Sequence, residues 1–182
     1  MSEELIVDFA SPTLAGIKCG SLFSGECGEK SELSEYAVSM NRQLKPHGLR
    51  LMPLKYGGKR ALIYVFSPER LAADLRDPLA REILTGLGYP VASLNRCVVR
   101  LAERVRENHD FPHEIGLFLG YPSEDVKGFI SGGKPKCTGF WRVYSDVGSA
   151  QKKFAELREC TRRMRESYKE HRSMDKLITS CS

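Results

Sequence analysis

A histidine and a glutamate stand side by side at His113-Glu114, between Phe111-Pro112 and the apolar run Ile115 to Leu119. An imidazole titrates near neutrality and a carboxylate can accept or return a proton, so these are the side-chain types of an acid-base site for small-molecule chemistry. The run from Glu114 to Gly120 reads as a strand. Successive strand residues point to opposite faces, so only one of the pair would enter a given pocket. His113 would then be either a ligand-binding or proton-moving group at the sheet edge, or a part-buried histidine bonded to backbone. Gly120-Tyr121-Pro122 leads from there into a helix start, where α/β proteins commonly bind ligands. Glu124 and Asp125 in the first turn of that helix oppose a phosphate.

A second constellation is Ala15-Gly16-Ile17-Lys18-Cys19-Gly20-Ser21, which offers mobile backbone, a cation, a thiol and a hydroxyl within a few residues. It lacks the GxxxxGK[ST] order of a phosphate loop and the G-x-S-x-G of a nucleophile elbow. What remains is a polar segment able to line a pocket through Lys18 and Ser21. Cys19 would become a nucleophile if Lys18 or a histidine lowered its pKa. Trp141, the only tryptophan, and Tyr121 could stack a flat cofactor or pack as core. If residues 139–144 are a strand, Trp141 and Val143 share one face and Phe140, Arg142 and Tyr144 the other. His109 and His113 have the four-residue spacing of a metal-binding helix face, but Pro112 between them disfavours the helix. The candidate catalytic residues are therefore His113, Glu114 and Cys19, and the candidate cofactor-binding residues Lys18, Ser21, Tyr121 and Trp141. No metal site is expected, and no cofactor is identified by these residues.

The elements that must position these groups follow from periodicity. Leu33, Tyr36, Ala37, Met40 and Leu44 recur at helical spacing, and Pro46-His47-Gly48 ends that helix. Residues 49–56 and 60–66 flank Gly57-Gly58, a dipeptide suited to a two-residue hairpin turn, and the second strand is apolar enough to be central. Ala15 to Ser24 is either a strand or an ordered loop. Ser67-Pro68 and Asp77-Pro78 each set a capping oxygen before a proline at the first helical position, and Ser93 caps a third helix. A strand over 114–120, a helix over 122–130 and a strand over 139–144 form a β-α-β unit. Ser145 or Asp146 then caps a long helix with an apolar stripe from Val147 to Tyr168. The fold class is α+β: a mixed sheet of about four to five strands with a central hairpin and a β-α-β unit, covered by helices and closed by a long C-terminal helix. One domain over 1–182 is expected, with 1–12 and 173–182 as flexible ends.

Composition narrows the classes of function. With 41% hydrophobic and 28% charged residues the chain is ordinary and globular. Its N-terminus is acidic, and no apolar stretch approaches the roughly 20 residues of a membrane-crossing helix. A cytoplasmic location with no membrane partner is expected. Six cysteines without a CxxC pair read as reduced thiols. Of the net charge of +5, most lies between Ala150 and Ser182, where nine Lys/Arg face five acids. The interspersed acids give that helix a solvated face rather than a nucleic-acid track.

Several phrases stand in fixed order: Pro12 to Lys18 followed by Ser21-Leu22-Phe23, then Tyr64, then Phe111 to Pro122 with Glu124-Asp125-Val126 and Gly128-Phe129-Ile130, then Gly139-Phe140-Trp141 and Val143-Tyr144. In these the chain resembles an uncharacterised prokaryotic family, domain of unknown function 3793, over nearly its whole length. The resemblance carries no reaction. It implies a setting in iron, cofactor or electron-transfer metabolism, with a flavodoxin-like electron carrier as a partner. Three readings are carried forward: a ligand- or cofactor-binding protein whose unknown small molecule lies between the Gly-rich segment and the 113–122 turn; a small-molecule enzyme using His113 or Glu114 with or without Cys19; and, ranked last, nucleic-acid binding through the basic C-terminal helix.

Overall fold

The computed structural model describes residues 2–107 and 111–179, and its elements run in chain order as follows. Helix α1 (Glu3–Leu14) leads into strand β1 (Gly20–Glu26), helix α2 (Lys30–Leu44) and the hairpin β2 (Arg50–Tyr56) and β3 (Arg60–Phe66). Helices α3 (Pro68–Asp74), α4 (Pro78–Gly86), α5 (Leu94–Glu107), α6 (Ile115–Phe118) and α7 (Ser123–Ile130) follow. A short ladder of β4 (Cys137–Thr138) and β5 (Arg142–Val143) precedes the long α8 (Val147–His171) and a last helix, α9 (Met174–Thr179). The class is α+β.

Where one domain was expected, the chain divides into two compact units, Met1–Arg70 with Glu159–Ser182, and Leu71–Arg158. The boundary in sequence falls within helix α8: Ala150, Phe154 and Leu157 are buried residues of the second unit, and Cys160 and Met164 of the first.

The first unit is built on an antiparallel sheet of order β1-β3-β2. As its apolar composition implied, β3 is central, with Ile63, Tyr64 and Val65 fully buried. The hairpin turn lies one residue beyond the expected Gly57-Gly58: Gly57 N–H donates to the Arg60 carbonyl at 2.8 Å, leaving Gly58, at φ +74°, and Lys59 as the turn. Pro53, which has no N–H to give a ladder, sits at a register shift in the edge strand β2. Leu33, Ala37, Met40 and Leu44 of α2 pack into the same core as Leu51, Ile63 and Val65.

The chain ends expected to be flexible carry helices. Asp8 and Pro12 interrupt the apolar run, but Ile6, Val7, Ala10 and Leu14 share one helical face, and all join the core. Ser2 caps that helix by accepting from the Leu5 N–H. At the other end Met174, Leu177 and Ile178 are each 1–2% exposed and join the core too.

The expected β-α-β unit is the main correction. Residues 115–118 form a helical turn, and β4 and β5 pair antiparallel with each other rather than with a strand before α7. The reason is a Schellman stop: Gly120 takes φ +71°, Tyr121 N–H bonds the Gly116 carbonyl at 2.9 Å, and Gly120 N–H bonds that of Leu117 at 3.4 Å. An apolar run of this length has no periodicity that separates a buried strand from a buried helical turn. Gly116 is required by closeness, since a Cβ there would meet Val126 Cγ2 at 2.8 Å and Tyr121 Cδ2 at 3.0 Å. The strand expected over 139–144 is shorter, because Gly139 N–H bonds the Trp141 carbonyl at 2.9 Å in a tight turn. Its alternation holds: Trp141 and Val143 are buried, and Phe140 and Arg142 are exposed. Among the described residues no helix is long and apolar enough to cross a membrane.

Candidate functional site

Glu114 and His113 part company at the turn that opens α6. Glu114 is 2% exposed and its Oε1 accepts from the Tyr89 hydroxyl at 2.7 Å and from Arg104 Nε at 2.6 Å. Arg104 also lies over the Tyr89 ring, 5.8 Å from its centroid. Burial, then the hydrogen bond and charge of Glu114, push the Tyr89 phenol well above its ordinary value. A carboxylate held by two donors in the interior is a clamp tying the turn to α5, not a base open to substrate. His113 is exposed and sets its ring edge-on to Phe129 at 4.8 Å. The strand alternation argued for separating the two; the separation is real, but a turn produces it.

A stronger centre lies at Asp125, which is 2% exposed and yet accepts four hydrogen bonds. Trp141 Nε1 donates to Oδ2 at 2.7 Å; the Tyr144 N–H at 2.7 Å, and the Ser145 N–H and hydroxyl at 2.8 Å each, donate to Oδ1. Burial alone would raise this carboxyl, but the donors from Tyr144, Ser145 and Trp141 outweigh it and hold the group below the ordinary carboxylate range. Asp125 thus pins α7 to Trp141, just before β5, and to residues 144–145 on the approach to α8. The Trp141 ring stacks on Tyr121 at 5.0 Å and meets Phe154 edge-on at 4.5 Å. Burial raises the Tyr121 phenol. Two of the residues picked out as cofactor contacts are therefore brought together, within an aromatic cluster.

Beside this cluster a groove of about 570 Å³ opens. Gly120, Pro122, Trp141 and Ala150 line it together with the hydroxyl residues Ser145 and Ser149. Its charged groups are Glu124, Asp125 and Asp146 against Lys153. Asp146 caps α8 by accepting from the Gly148 N–H at 2.9 Å and the Ser149 N–H at 3.2 Å, and its hydrogen bonds with Ser149 hold it below the usual range. Lys153 is already paired with Glu156 at 2.9 Å. The groove is therefore acidic, and the two helix starts that face it are each already answered by a carboxylate.

Lys18, Cys19 and Ser21 belong to the first unit, and His113, Glu114, Tyr121 and Trp141 to the second. Ser21 is 3% exposed and its hydroxyl shares a 2.8 Å hydrogen bond with that of Thr13. Cys19, 2% exposed, holds strand pairing in place through its carbonyl, which accepts from the Ser67 N–H at 2.9 Å. Burial lowers the Lys18 amine to about 8, with Cys19 acting in the opposite direction. The five described cysteines form no disulfide. Among the described residues no group of three or more His, Cys, Asp and Glu could hold a metal, and His109 lies outside those residues. Three of the dense arginines of α8 are engaged within the chain: Arg162 with Glu159 and Glu166 at 2.8 and 2.7 Å, Arg163 with Glu159 at 2.7 Å, and Arg165 with Asp8 at 2.6 Å. Hydrogen bonds from Arg162 and Arg163 bring the Glu159 carboxyl down to about 2.

A family model described as Protein of unknown function (DUF3793) matches residues 6–178. The chain belongs to that family. The match to DUF3793 takes in both compact units, and with them the Glu114 clamp, the Asp125 centre and the groove. No curated protein and no solved structure matches the chain.

The residues that organise this DUF3793 site were only partly visible beforehand. Asp125 was read as a first-turn acid, which it is by position, but nothing in its spacing announces four donors. Arg104 borders the apolar face of α5, next to Val105, and Tyr89 follows Gly88 after α4; neither had a signal pointing at Glu114. Asp146 was legible as a cap, and Gly120 and Pro122 as a turn leading into a helix start.

Proposed function

We propose that this protein binds a small organic molecule in the groove beside Trp141, and that the molecule carries a positive charge or hydrogen-bond donors rather than a phosphate. The observation that carries the reading is the groove itself. Its volume of about 570 Å³ falls within the roughly 300–1,000 Å³ of small-molecule sites. It combines apolar lining from Pro122, Trp141 and Ala150 with carboxylates fixed in place before any ligand arrives. Asp125 is ionised and rigid, Asp146 is held by backbone and Ser149, and Glu124 is exposed at the same opening. A preset acidic surface favours an amine or guanidinium and repels a phosphate.

Binding is better supported than acid-base catalysis at His113 and Glu114. Glu114 has its carboxylate engaged by Tyr89 and Arg104, and His113 is exposed away from it, against Phe129. A nucleophilic role for Cys19 has the same weakness, since it is 2% exposed. We place the protein in the cytoplasm, a setting that suits its reduced cysteines. The link to iron, cofactor or electron-transfer metabolism, with a flavodoxin-like carrier as partner, enters as a choice of test molecules.

The test is a thermal-shift panel on the purified protein with aliphatic diamines, agmatine, flavin mononucleotide, haem and nucleotides. Stabilisation by the cations that rises with concentration and falls with added salt is the expected result. Shifts confined to the phosphate-bearing molecules would reverse the assigned charge preference, and no shift with any molecule would remove the binding reading.

A further inference from the structure

A second cleft, separate from the groove, lies within the second unit where α3, α4 and the start of α5 meet. Its volume is about 200 Å³, and Leu75, Leu84, Val91 and Leu94 make it apolar. Two guanidinium groups, Arg76 and Arg81, border it. Both arginines are exposed, and neither has a carboxylate within ion-pair distance among the described residues. This sets them apart from Arg100, Arg104, Arg162, Arg163 and Arg165, each of which is paired within the chain. The acids adjacent in sequence are engaged elsewhere: Asp77, next to Arg76, accepts from the Ala80 N–H at 2.9 Å as the cap of α4 and from Ser123, and Glu82, next to Arg81, pairs with Lys127 at 3.4 Å.

The charge of Arg81 reaches the interior of the cleft. Cys97 lines it, 2% exposed, with its thiol donating to the Pro90 carbonyl at 3.3 Å. Burial pushes that thiol up, and Arg81 is the group that pulls it down.

We infer that this cleft binds a small carboxylic acid with a short apolar tail, the carboxylate held by Arg76 and Arg81 and the tail lying on Leu75, Leu84, Val91 and Leu94. Two observations carry the choice. An apolar space of about 150 Å³ accepts a six-carbon ring, so a cleft of about 200 Å³ has room for a tail of that size but not for a nucleotide. Two unpaired guanidiniums beside an apolar surface match a carboxylate beside an alkyl chain, because a planar fork meets the two oxygens with paired charge-assisted hydrogen bonds. This site does not depend on the groove reading.

The experiment uses hexanoate as the probe, titrated into the full-length protein by calorimetry, with hexanol and acetate as partners lacking the charge or the tail. Hexanoate saturates one site and binds at least tenfold tighter than either. Arg76→Gln and Arg81→Gln each weaken hexanoate by tenfold or more and leave hexanol unchanged. Since both side chains are exposed and unpaired, neither change disturbs the fold, which circular dichroism checks. Equal affinity for hexanoate and hexanol would overturn the role of the arginines, and equal affinity for hexanoate and acetate would reduce the site to nonspecific anion binding. Absence of saturable hexanoate binding would overturn the site. Trp141 emission does not respond to hexanoate, so failure here and failure of the groove reading are distinguishable.

Discussion

Replacing Asp125 with Ala or Asn probes the centre from which the second unit's site is built. In the Ala variant three N–H donors, Trp141 Nε1, Tyr144 N and Ser145 N, lose their acceptor, while the Ser145 hydroxyl can turn to another partner. A buried donor left unsatisfied costs about 1–3 kcal/mol. Because Asp125 lines the groove, water can reach part of the vacated space, which puts the loss near the lower end, about 3–5 kcal/mol. Asn keeps one oxygen acceptor but turns an NH₂ towards donors, so its loss should be roughly 2–3 kcal/mol. The assay is urea unfolding followed by fluorescence of Trp141, the only tryptophan, which reports on this unit.

The pH dependence gives a second readout. The folded carboxyl lies below its unfolded value, so the stabilisation is fully present above the unfolded pKa of about 3.9 and is lost as pH falls through the folded pKa. The Asn variant lacks that acid-side loss. Losses below about 1 kcal/mol for Ala, or identical acid limbs for wild type and Asn, would refute the assignment of Asp125 as an ionised hub.

Glu114→Ala should destabilise the second unit by about 3–5 kcal/mol in the same assay, because Arg104 and the Tyr89 hydroxyl are left without their buried acceptor; a change within error would show the clamp to be dispensable. In spectrophotometric titration Tyr89 should ionise only with unfolding. Its folded pKa is raised, so its stabilising contribution is complete below the unfolded value of about 10 and is lost as pH rises through the folded one. A phenol step at about pH 10 for Tyr89 in the folded protein would contradict this. Thiol-directed labelling followed by peptide mass mapping should reach the half-buried Cys27 and Cys137 before the buried Cys19 and Cys97; Cys19 reacting first would restore it as a candidate nucleophile.

What could be read from the sequence was what local patterning encodes. The stripe Leu33 to Leu44, the hairpin near Gly57-Gly58 with its central second strand, the Pro68 and Pro78 helix starts and the Asp146 cap are each fixed within a few residues of chain, and each stands in the structure. Ile115 to Leu119 misled because continuous apolarity has no period; the deciding information is the left-handed Gly120 and the Tyr121 to Gly116 bond that follows from it. Helix α1 falls in residues expected to be a flexible end, where Asp8 breaks the apolar run after Val7, whereas burial of Ile6, Val7 and Ala10 outweighs that break. The turn at Gly120 to Pro122 borders the groove, but the contacts that fix its surroundings are long-range. Asp125 finds its donors up to 20 residues away and Glu114 finds Tyr89 across 25. Spacing rules do not extend that far.

The groove is tested most directly by titrating a cationic ligand from the thermal-shift panel, such as agmatine, against the emission of Trp141. The account predicts a saturable change in wild type. The apparent Kd should rise severalfold in Glu124→Gln, where an exposed attractive charge is removed, and fall in Lys153→Gln, where an opposing one is removed. No saturable change, or the same Kd in all three proteins, would contradict it.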